Sequence, residues 1–343
     1  MKRYESEKKF IFLKEMQPLL PKLKKEFEWL QLPYANSLQV VVANLDKAIQ
    51  NSFSKKAARK GFPKFKSKHT MNDSMFYNNQ GVILDKFRID ISKIGWIKCR
   101  GNREIDGKLL SATVSQDGND WYCSILYELQ KELPIHTGSS IGIDLGLSHF
   151  LTTSDGEVID NPRFFRKTEK KLARVQRKLS RKKKGSSNRF EQRMKIHKIH
   201  KHIRNQRKDF LHKVTADLIA KNSVIVMEDL NVKGMVKNRK LSKSISDVGW
   251  SECRRQLQYK AKTAGTQVVL VDRFFPSSQL CSSCGNRQKM PLQLRIFNCK
   301  QCDASIDRDC NAAINILKEG INESNNRQGY CRIYACGDTN IGD

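Results

Sequence analysis

No apolar run in this sequence approaches the length of a membrane span. The longest, 224–227 and 268–271, are strand-sized, whereas a helix crossing a bilayer needs roughly 18 consecutive apolar residues or more. A membrane partner is therefore not expected. The first nine residues are mostly charged, with no apolar core region after the charges and no small-residue cleavage site, so they do not read as a secretory signal. A cytoplasmic, reducing location follows. In that setting ten cysteines over 343 residues point to metal binding and free thiols rather than to a disulfide framework. Acid is scarce as well, with 35 Asp and Glu against 64 Lys and Arg. The resulting net charge of +29 is far more than solubility requires and implies a polyanionic partner.

Apolar side chains are nonetheless sufficient for real cores: 38% hydrophobic against 29% charged argues against global disorder. A chain this long should hold two or three domains. The basic charge is concentrated. Residues 163–208 hold 20 Lys or Arg and two acids, Glu169 and Glu191, a net +18. The run Arg181-Lys182-Lys183-Lys184-Gly185-Ser186-Ser187 reads as the turn of a helical hairpin. Leu172, Val175 and Leu179 mark one arm, and Ile199, Ile203, Phe210, Val214 and Leu218 the other. Two solvated helix faces would be the ordinary reading of such charge, but +18 without acidic partners repels itself in isolation, which favours a surface for phosphate backbone. Phosphate contacts position a protein without reading sequence, so the hairpin by itself does not separate DNA from RNA.

Ahead of residue 136 the pattern has two parts. Up to about residue 54 it is helical, with Leu38, Val41, Leu45 and Ile49 as one apolar stripe and Ser37 placed to cap the helix. From Gly61 onward, alternating runs such as Phe87-Arg88-Ile89-Asp90-Ile91 and 121–127 are separated by Gln80-Gly81, Asp106-Gly107 and Asp117-Gly118. They indicate antiparallel hairpins in a small sheet or barrel. At the junction, Gly61-Phe62-Pro63-Lys64-Phe65-Lys66-Ser67-Lys68 interleaves aromatics with lysines, which suits base stacking and suits a basic linker about equally.

Cys281-Ser282-Ser283-Cys284 and Cys299-Lys300-Gln301-Cys302 form two C-x2-C knuckles with fourteen residues between them, close to zinc-ribbon spacing. No histidine is in register, and four thiolates leave no open coordination position, so the Zn2+ expected here is structural.

Chemistry must then come from carboxylates. Ile141-Gly142-Ile143-Asp144-Leu145-Gly146 is an apolar strand carrying one acid, and 223–230 is a second that ends in Glu228-Asp229. A helix over 250–262 leads to a third strand, 268–272, and this strand, helix, strand order suggests parallel pairing. Asp307 and Asp309 stand at the entry of a helix whose face is Ala313, Ile316 and Leu317. Singly, Asp144 reads as a strand-end turn, Glu228 as a loop acid and Asp309 as a helix cap. Together, Asp144, Glu228 and Asp309 could converge to hold two Mg2+ ions about 4 Å apart, which activate water and stabilise the leaving oxygen of a phosphodiester.

In this order, Gly142-Ile143-Asp144-Leu145-Gly146, the basic helical insertion, Met227-Glu228-Asp229-Leu230, the cysteine ribbon and Arg308-Asp309-Cys310-Asn311-Ala312-Ala313, the chain resembles TnpB. TnpB is the OrfB-type protein of insertion sequences, related to type V CRISPR effectors. The resemblance covers roughly residues 35–320. It implies an α/β, RNase H-like (RuvC-type) nuclease domain at 136–277 with the basic hairpin inserted at 163–215, a zinc ribbon at 278–305 and a third-motif helix at 306–320. A helical recognition-like segment (1–60) and a β-rich, barrel-like wedge domain (61–135) would precede it, and a flexible tail (321–343) would follow. It also implies an RNA-guided DNA endonuclease whose partners are a guide RNA from the element and a double-stranded target DNA. Asp144, Glu228 and Asp309 match the catalytic, Mg2+-binding acids, and Cys281, Cys284, Cys299 and Cys302 the Zn2+ ligands. Asp229, Asp272 and Asp307 are neighbours without such a role. Against the family pattern the chain lacks the opening strand and reads as N-terminally shortened, which leaves a truncated, cleavage-defective remnant as an alternative. A guide-directed DNA-binding protein without activity should have lost one of the three acids, and a ribosome-type RNA-binding protein has no use for acids at strand ends.

If the hairpin follows a duplex, neutralising Arg181, Lys182, Lys183 and Lys184 together should weaken binding to matched and unrelated duplexes alike. The log-log salt dependence should become shallower by up to about 0.9 per lost phosphate contact. An unchanged slope in a salt titration would remove the hairpin from the binding surface.

Overall fold

The computed structural model describes residues 12–53, 62–63, 73–101, 105–130, 134, 137–291 and 293–326. The basic aromatic run at 61–68 lies outside them except for Phe62 and Pro63, as does the tail from residue 327, with Cys331 and Cys336. The chain forms two compact units, Met1–Lys131 and Glu132–Asp343. Among the described residues no helix is long and apolar enough to cross a membrane.

The first unit combines helices α1 (Leu13–Met16), α2 (Leu19–Glu26) and α3 (Ala35–Phe53) with strands β1 (Ser74–Asn78), β2 (Val82–Asp85), β3 (Arg88–Ile91), β4 (Gly95–Lys98), β5 (Lys108–Asp117) and β6 (Asp120–Glu128). Of the three expected turns only Asp117-Gly118 closes a hairpin, whereas Gln80-Gly81 and Asp106-Gly107 lie between strands of different sheets. β5 and β6 close at Asp117 and Asp120 through Gly118, whose φ of 70° suits the tight turn. Among the described residues the strands do not close a barrel. They are described as two three-stranded antiparallel sheets, β1-β5-β6 and β2-β3-β4, around a core of Tyr77, Val82, Ile89, Ile91 and Ala112.

Two expectations for the helical segment fail. α3 begins at Ala35, so Ser37 lies inside it and is not its cap. The Ser37 hydroxyl instead donates to the Phe76 carbonyl at 2.6 Å, tying α3 to β1. The proposed apolar stripe is not the packed face either: Val41 and Leu45 are exposed, whereas Ser37 and Asp46 are buried. Asp46 accepts from the Leu13 amide (3.1 Å) and from Gln50 (2.7 Å), so polar groups decide how this helix docks.

The second unit is built on strands β7 (Ser139–Leu145), β8 (His149–Thr153) and β9 (Val158–Asp160), the basic hairpin α4 (Phe164–Ser180) and α5 (Ser187–Lys221), and β10 (Asn222–Glu228). Helices α6 (Val232–Met235), α7 (Ser242–Val248) and α8 (Trp250–Ala264) lead to β11 (Gln267–Val271). The small strands β12 (Ile296–Asn298) and β13 (Ser305–Asp307) precede the closing helix α9 (Arg308–Asn326). The sheet order is β11-β10-β7-β8-β9, with β7, β10 and β11 mutually parallel and β8 and β9 antiparallel. Side chains alternate between faces along a strand. Ile141, Ile143, Ile225 and Met227 therefore share one face, packed with Leu211, Val214 and Leu218 of α5 and Trp250 and Leu257 of α8. The opposite face carries Val226, Val269 and Val271, covered by Ile316 of α9.

The contact on that second face is unusually close. A Cβ at Gly142 would sit 2.2 Å from the carbonyl oxygen of Ala313 and 2.8 Å from the amide nitrogen of Leu317, and a Cβ at Gly320 would sit 2.3 Å from Val226. Helix and sheet thus meet nearly backbone to backbone. α9 also runs past residue 320, so the opening of the expected tail is helical as far as Asn326.

The hairpin has the expected arms and turn. Ser186 caps α5 by accepting from the Arg189 amide (3.3 Å). The Arg189 guanidinium donates to the Leu179 carbonyl in the last turn of α4 (2.8 Å) and to the Lys182 carbonyl in the connecting turn (2.9 Å). Its root is held by buried Asp247, which accepts from the Phe165 amide (3.0 Å) and from Arg207 (2.7 Å).

Because backbone atoms fill the space a side chain would need at Gly142, Gly142→Ala should lower the unfolding free energy by about 2–3 kcal/mol. Urea unfolding reads this directly, and a loss below about 0.5 kcal/mol would mean that α9 can lift from β7.

Candidate functional site

Register places the first two acids side by side. Ile143 pairs with Met227 across the parallel β7–β10 ladder, so the residues that follow, Asp144 and Glu228, emerge together on the face covered by α9. The third comes from α9 itself. Ala313 lies over Gly142, and one helical turn earlier Asp309 reaches back toward Asp144.

The electrostatics record the meeting. Burial, the negative charge of Glu228 and then that of Asp309 push the Asp144 carboxyl up from 3.8 to about 7, against a partial offset from Arg308. Burial also raises Glu228, opposed by the Ser277 hydroxyl that donates to it at 2.6 Å. Asp309 accepts from Arg308 Nη2 (2.8 Å) and Nε (3.0 Å) and faces Arg295 Nη1 at 3.5 Å, while Arg295 Nη2 donates to Ser148 (2.8 Å).

The neighbouring acids are occupied elsewhere. Asp307, not Asp309, caps α9: its Oδ1 accepts the amides of Asp309 (2.9 Å) and Cys310 (3.0 Å). Asp229 would be raised by its burial, but ion pairs with Arg254 and Arg273 (2.5 Å) outweigh this and hold it below the usual carboxylate range. Asp272 accepts the Phe274 amide at 2.8 Å in a tight turn. Sequence reasoning missed Arg295, Arg308, Ser148 and Ser277. Arg308 had one available signal, its adjacency to Asp309, whereas Arg295 and Ser148 arrive from segments that no spacing rule connects.

The four cysteines meet as expected. Their sulfurs all lie within 4.8 Å of one another, and the pairs Cys281–Cys302 and Cys284–Cys299 are each 3.6 Å apart. A tetrahedron with Zn–S bonds of about 2.3 Å has edges of roughly 3.8 Å, so the set fits zinc. The first knuckle turns at Gly285, whose φ is 75° and whose amide donates to the Cys281 carbonyl at 2.9 Å. The second forms the connection between β12 and β13, where the Cys299 amide donates to the Ala304 carbonyl at 2.8 Å. Amide donors, led by that of Gln301, hold the Cys299 thiol down at about 6. Cys302 has an amide donor from Ala304, yet crowding by the other thiols, Cys284 first, pushes it to about 12. Four thiols this close cannot all ionise unaided, and a dication removes that conflict. Cys99, Cys123, Cys253 and Cys310 stand outside the group. The three acids are not gathered as tightly as the sulfurs.

Comparison with known proteins now places the chain. Residues 124–239 match the OrfB family described as "Probable transposase", and residues 250–316 match the "Cas12f1-like, TNB domain". An Escherichia coli K12 protein named "Putative RNA-guided DNA endonuclease InsQ" is 39% identical over 314 residues, covering 86% of this chain and 77% of that one. The chain belongs to the TnpB family. A second relative, a "Putative RNA-guided DNA endonuclease" of Streptomyces pristinaespiralis, is 37% identical over 306 residues, covering 88% of this TnpB-family chain and 73% of the relative. A solved structure titled "Cryo-EM structure of the Cas12f1-sgRNA-target DNA complex" aligns with 92% of this chain at 16% identity and a TM-score of 0.40.

An acid raised by folding weakens the fold as pH climbs, because the folded state holds a proton that the unfolded chain has released. For Asp144 the window runs from 3.8 to about 7. Without added divalent cation, Asp144→Asn should therefore stabilise this TnpB-family protein by about 1–3 kcal/mol at pH 8, and the gain should vanish toward pH 4. Thermal melts across this range check it; no gain at pH 8 would mean that Asp144 does not feel Glu228 and Asp309.

Proposed function

We propose that this chain is an RNA-guided DNA endonuclease that hydrolyses phosphodiesters at a carboxylate site formed by Asp144, Glu228 and Asp309. The observation that carries the reading is the convergence of three acids, from two adjacent parallel strands and the helix packed across them, with Asp144 raised to about 7 by burial and by the other two. Assembling like charges in a partly buried place costs stability, and a site built to bind cations gives that cost a purpose. Such a sheet with strand-end acids supports assignment of 136–277, completed by 306–320, to a RuvC-type, RNase H-like domain. The donor set suits Mg2+, which takes carboxylate oxygens, and bound Mg2+ supplies charge neutralisation and an activated water for attack on phosphorus.

The protein's own groups have separable tasks. Ser277 holds the Glu228 carboxylate in one orientation through its 2.6 Å hydrogen bond. Arg308 at 2.8 Å and Arg295 at 3.5 Å hold the Asp309 carboxylate in place. Asp307, by capping α9, leaves the Asp309 carboxylate available. The four cysteines hold a structural Zn2+, since all four positions are thiolate.

The partners in this reading are a guide RNA copied from the element and a double-stranded DNA target, and the names of the relatives support an RNA guide and a DNA substrate. The +29 charge supports them too, with its concentration on α4 and α5 offering a phosphate-binding surface. In this reading, sequence choice comes from base pairing with the guide, while the protein holds backbone.

Protein co-expressed with RNA from the end of its element should cut a guide-matched duplex when Mg2+ is present. Asp144→Ala should lower the cutting rate by at least about 10³-fold while affinity for the duplex changes less than about twofold. Cutting that persists in Asp144→Ala, or that needs no divalent cation, would contradict the proposal.

A further inference from the structure

Two adjacent phenylalanines follow β11 and point opposite ways. Phe275 packs into the core with Val226, Val271 and Ile316. Phe274 is 85% exposed, the highest value among the large apolar side chains described. A lone exposed aromatic needs no explanation in itself. This one differs in how its backbone is held and in where it stands.

Asp272 accepts the Phe274 amide through its side chain (2.8 Å) and the Phe275 amide through its carbonyl (3.0 Å), and Phe275 in turn accepts from Ser277 (2.9 Å). Arg273, the residue before, is paired with Asp229 at 2.5 Å. Ser277, three residues on, donates to Glu228 at 2.6 Å. The segment carrying Phe274 is thus fastened at both ends to consecutive residues at the end of β10, one of them an acid of the proposed cutting site.

We infer that Phe274 is a stacking platform for one unpaired nucleobase of the strand being cut. The inference rests on the reading of Asp144, Glu228 and Asp309 as the cutting site. A pinned loop presents the ring with its ordering cost already met, and a flat aromatic face accepts any base. Stacking of this kind holds a single strand without reading its sequence, which suits an enzyme whose sequence choice is made by a guide. Arg273, the preceding residue, stays partly exposed while paired with Asp229.

The test is a cycle between Phe274→Ala and single abasic sites walked through the cleaved region of a guide-matched duplex, using the protein–RNA complex with Mg2+. Phe274→Ala should lower kcat/KM on intact DNA by roughly 5- to 100-fold with an unchanged melting temperature, and Phe274→Trp should stay within about threefold of the parent. One abasic position should slow the parent to a similar degree and slow Phe274→Ala no further. Equal cutting of intact DNA by Phe274→Ala and the parent overturns the inference, as does an undiminished Phe274→Ala defect at every abasic position. If the parent makes no cut, the cutting-site reading fails. Stacking is then decided by 2-aminopurine walked along the same strand: quenching at one position by the parent and not by Phe274→Ala supports it, and no such difference anywhere overturns it.

Discussion

The backbone of α9 rests directly on β7 at Gly142, with Ala313 and Leu317 filling the space where any side chain would stand. Much else in the second unit depends on that contact. It sets the height of the helix above the sheet, and Gly320 against Val226 sets where the helix crosses β10. With both crossings fixed, the first turn of α9 can only begin near the ends of β7 and β10. Asp309 is thereby delivered to Asp144 and Glu228 from a segment more than eighty residues away in sequence from the nearer of the two.

The consequence is an electrostatic conflict that the fold holds in check. Asp144 is pushed to about 7 by burial and by its two acidic neighbours. Each of the other two acids has a dedicated partner: Ser277 on Glu228, and Arg308 with Arg295 on Asp309. These partners make the cluster tolerable in the free protein without neutralising Asp144. The acids left over, Asp229, Asp272 and Asp307, are tied into ion pairs, a turn and a helix cap. The local carboxylates thus fall into a cluster of three and a set tied up in architecture, and the cysteine knuckles before α9 add a second fixed point for its start.

How much of this was legible in the sequence depends on whether the signal was local. An acid embedded in an apolar run, as with Asp144 and Glu228, marks a strand end, and C-x2-C repeated at ribbon spacing marks a metal site. The hairpin at 163–208 was visible from charge and helical periodicity. Ser37 misled, because a serine near an apolar run reads as a cap, while its hydroxyl in fact bonds to Phe76 of a strand thirty-nine residues away. The stripe Val41 and Leu45 misled for a related reason: docking through Ser37 and Asp46 is polar, and hydrophobic periodicity does not register it. At α9 the choice between Asp307 and Asp309 as cap could not be made from residue type, since either acid suits the role and a two-residue difference in where the helix starts decides. Gly142 as a helix seat and Asp247 as the anchor of the hairpin root are long-range contacts, invisible to any window of sequence.

The account stands on the convergence of three carboxylates into one cation site, and anomalous scattering from a crystal of the Mn2+-loaded protein measures that most directly. Two Mn2+ peaks about 4 Å apart, bounded by Asp144, Glu228 and Asp309 and absent from Asp144→Asn, are the predicted result. Manganese found elsewhere while these three carboxylates remain bare, or ligated by one of them alone with the other two turned away across the sheet, would contradict it.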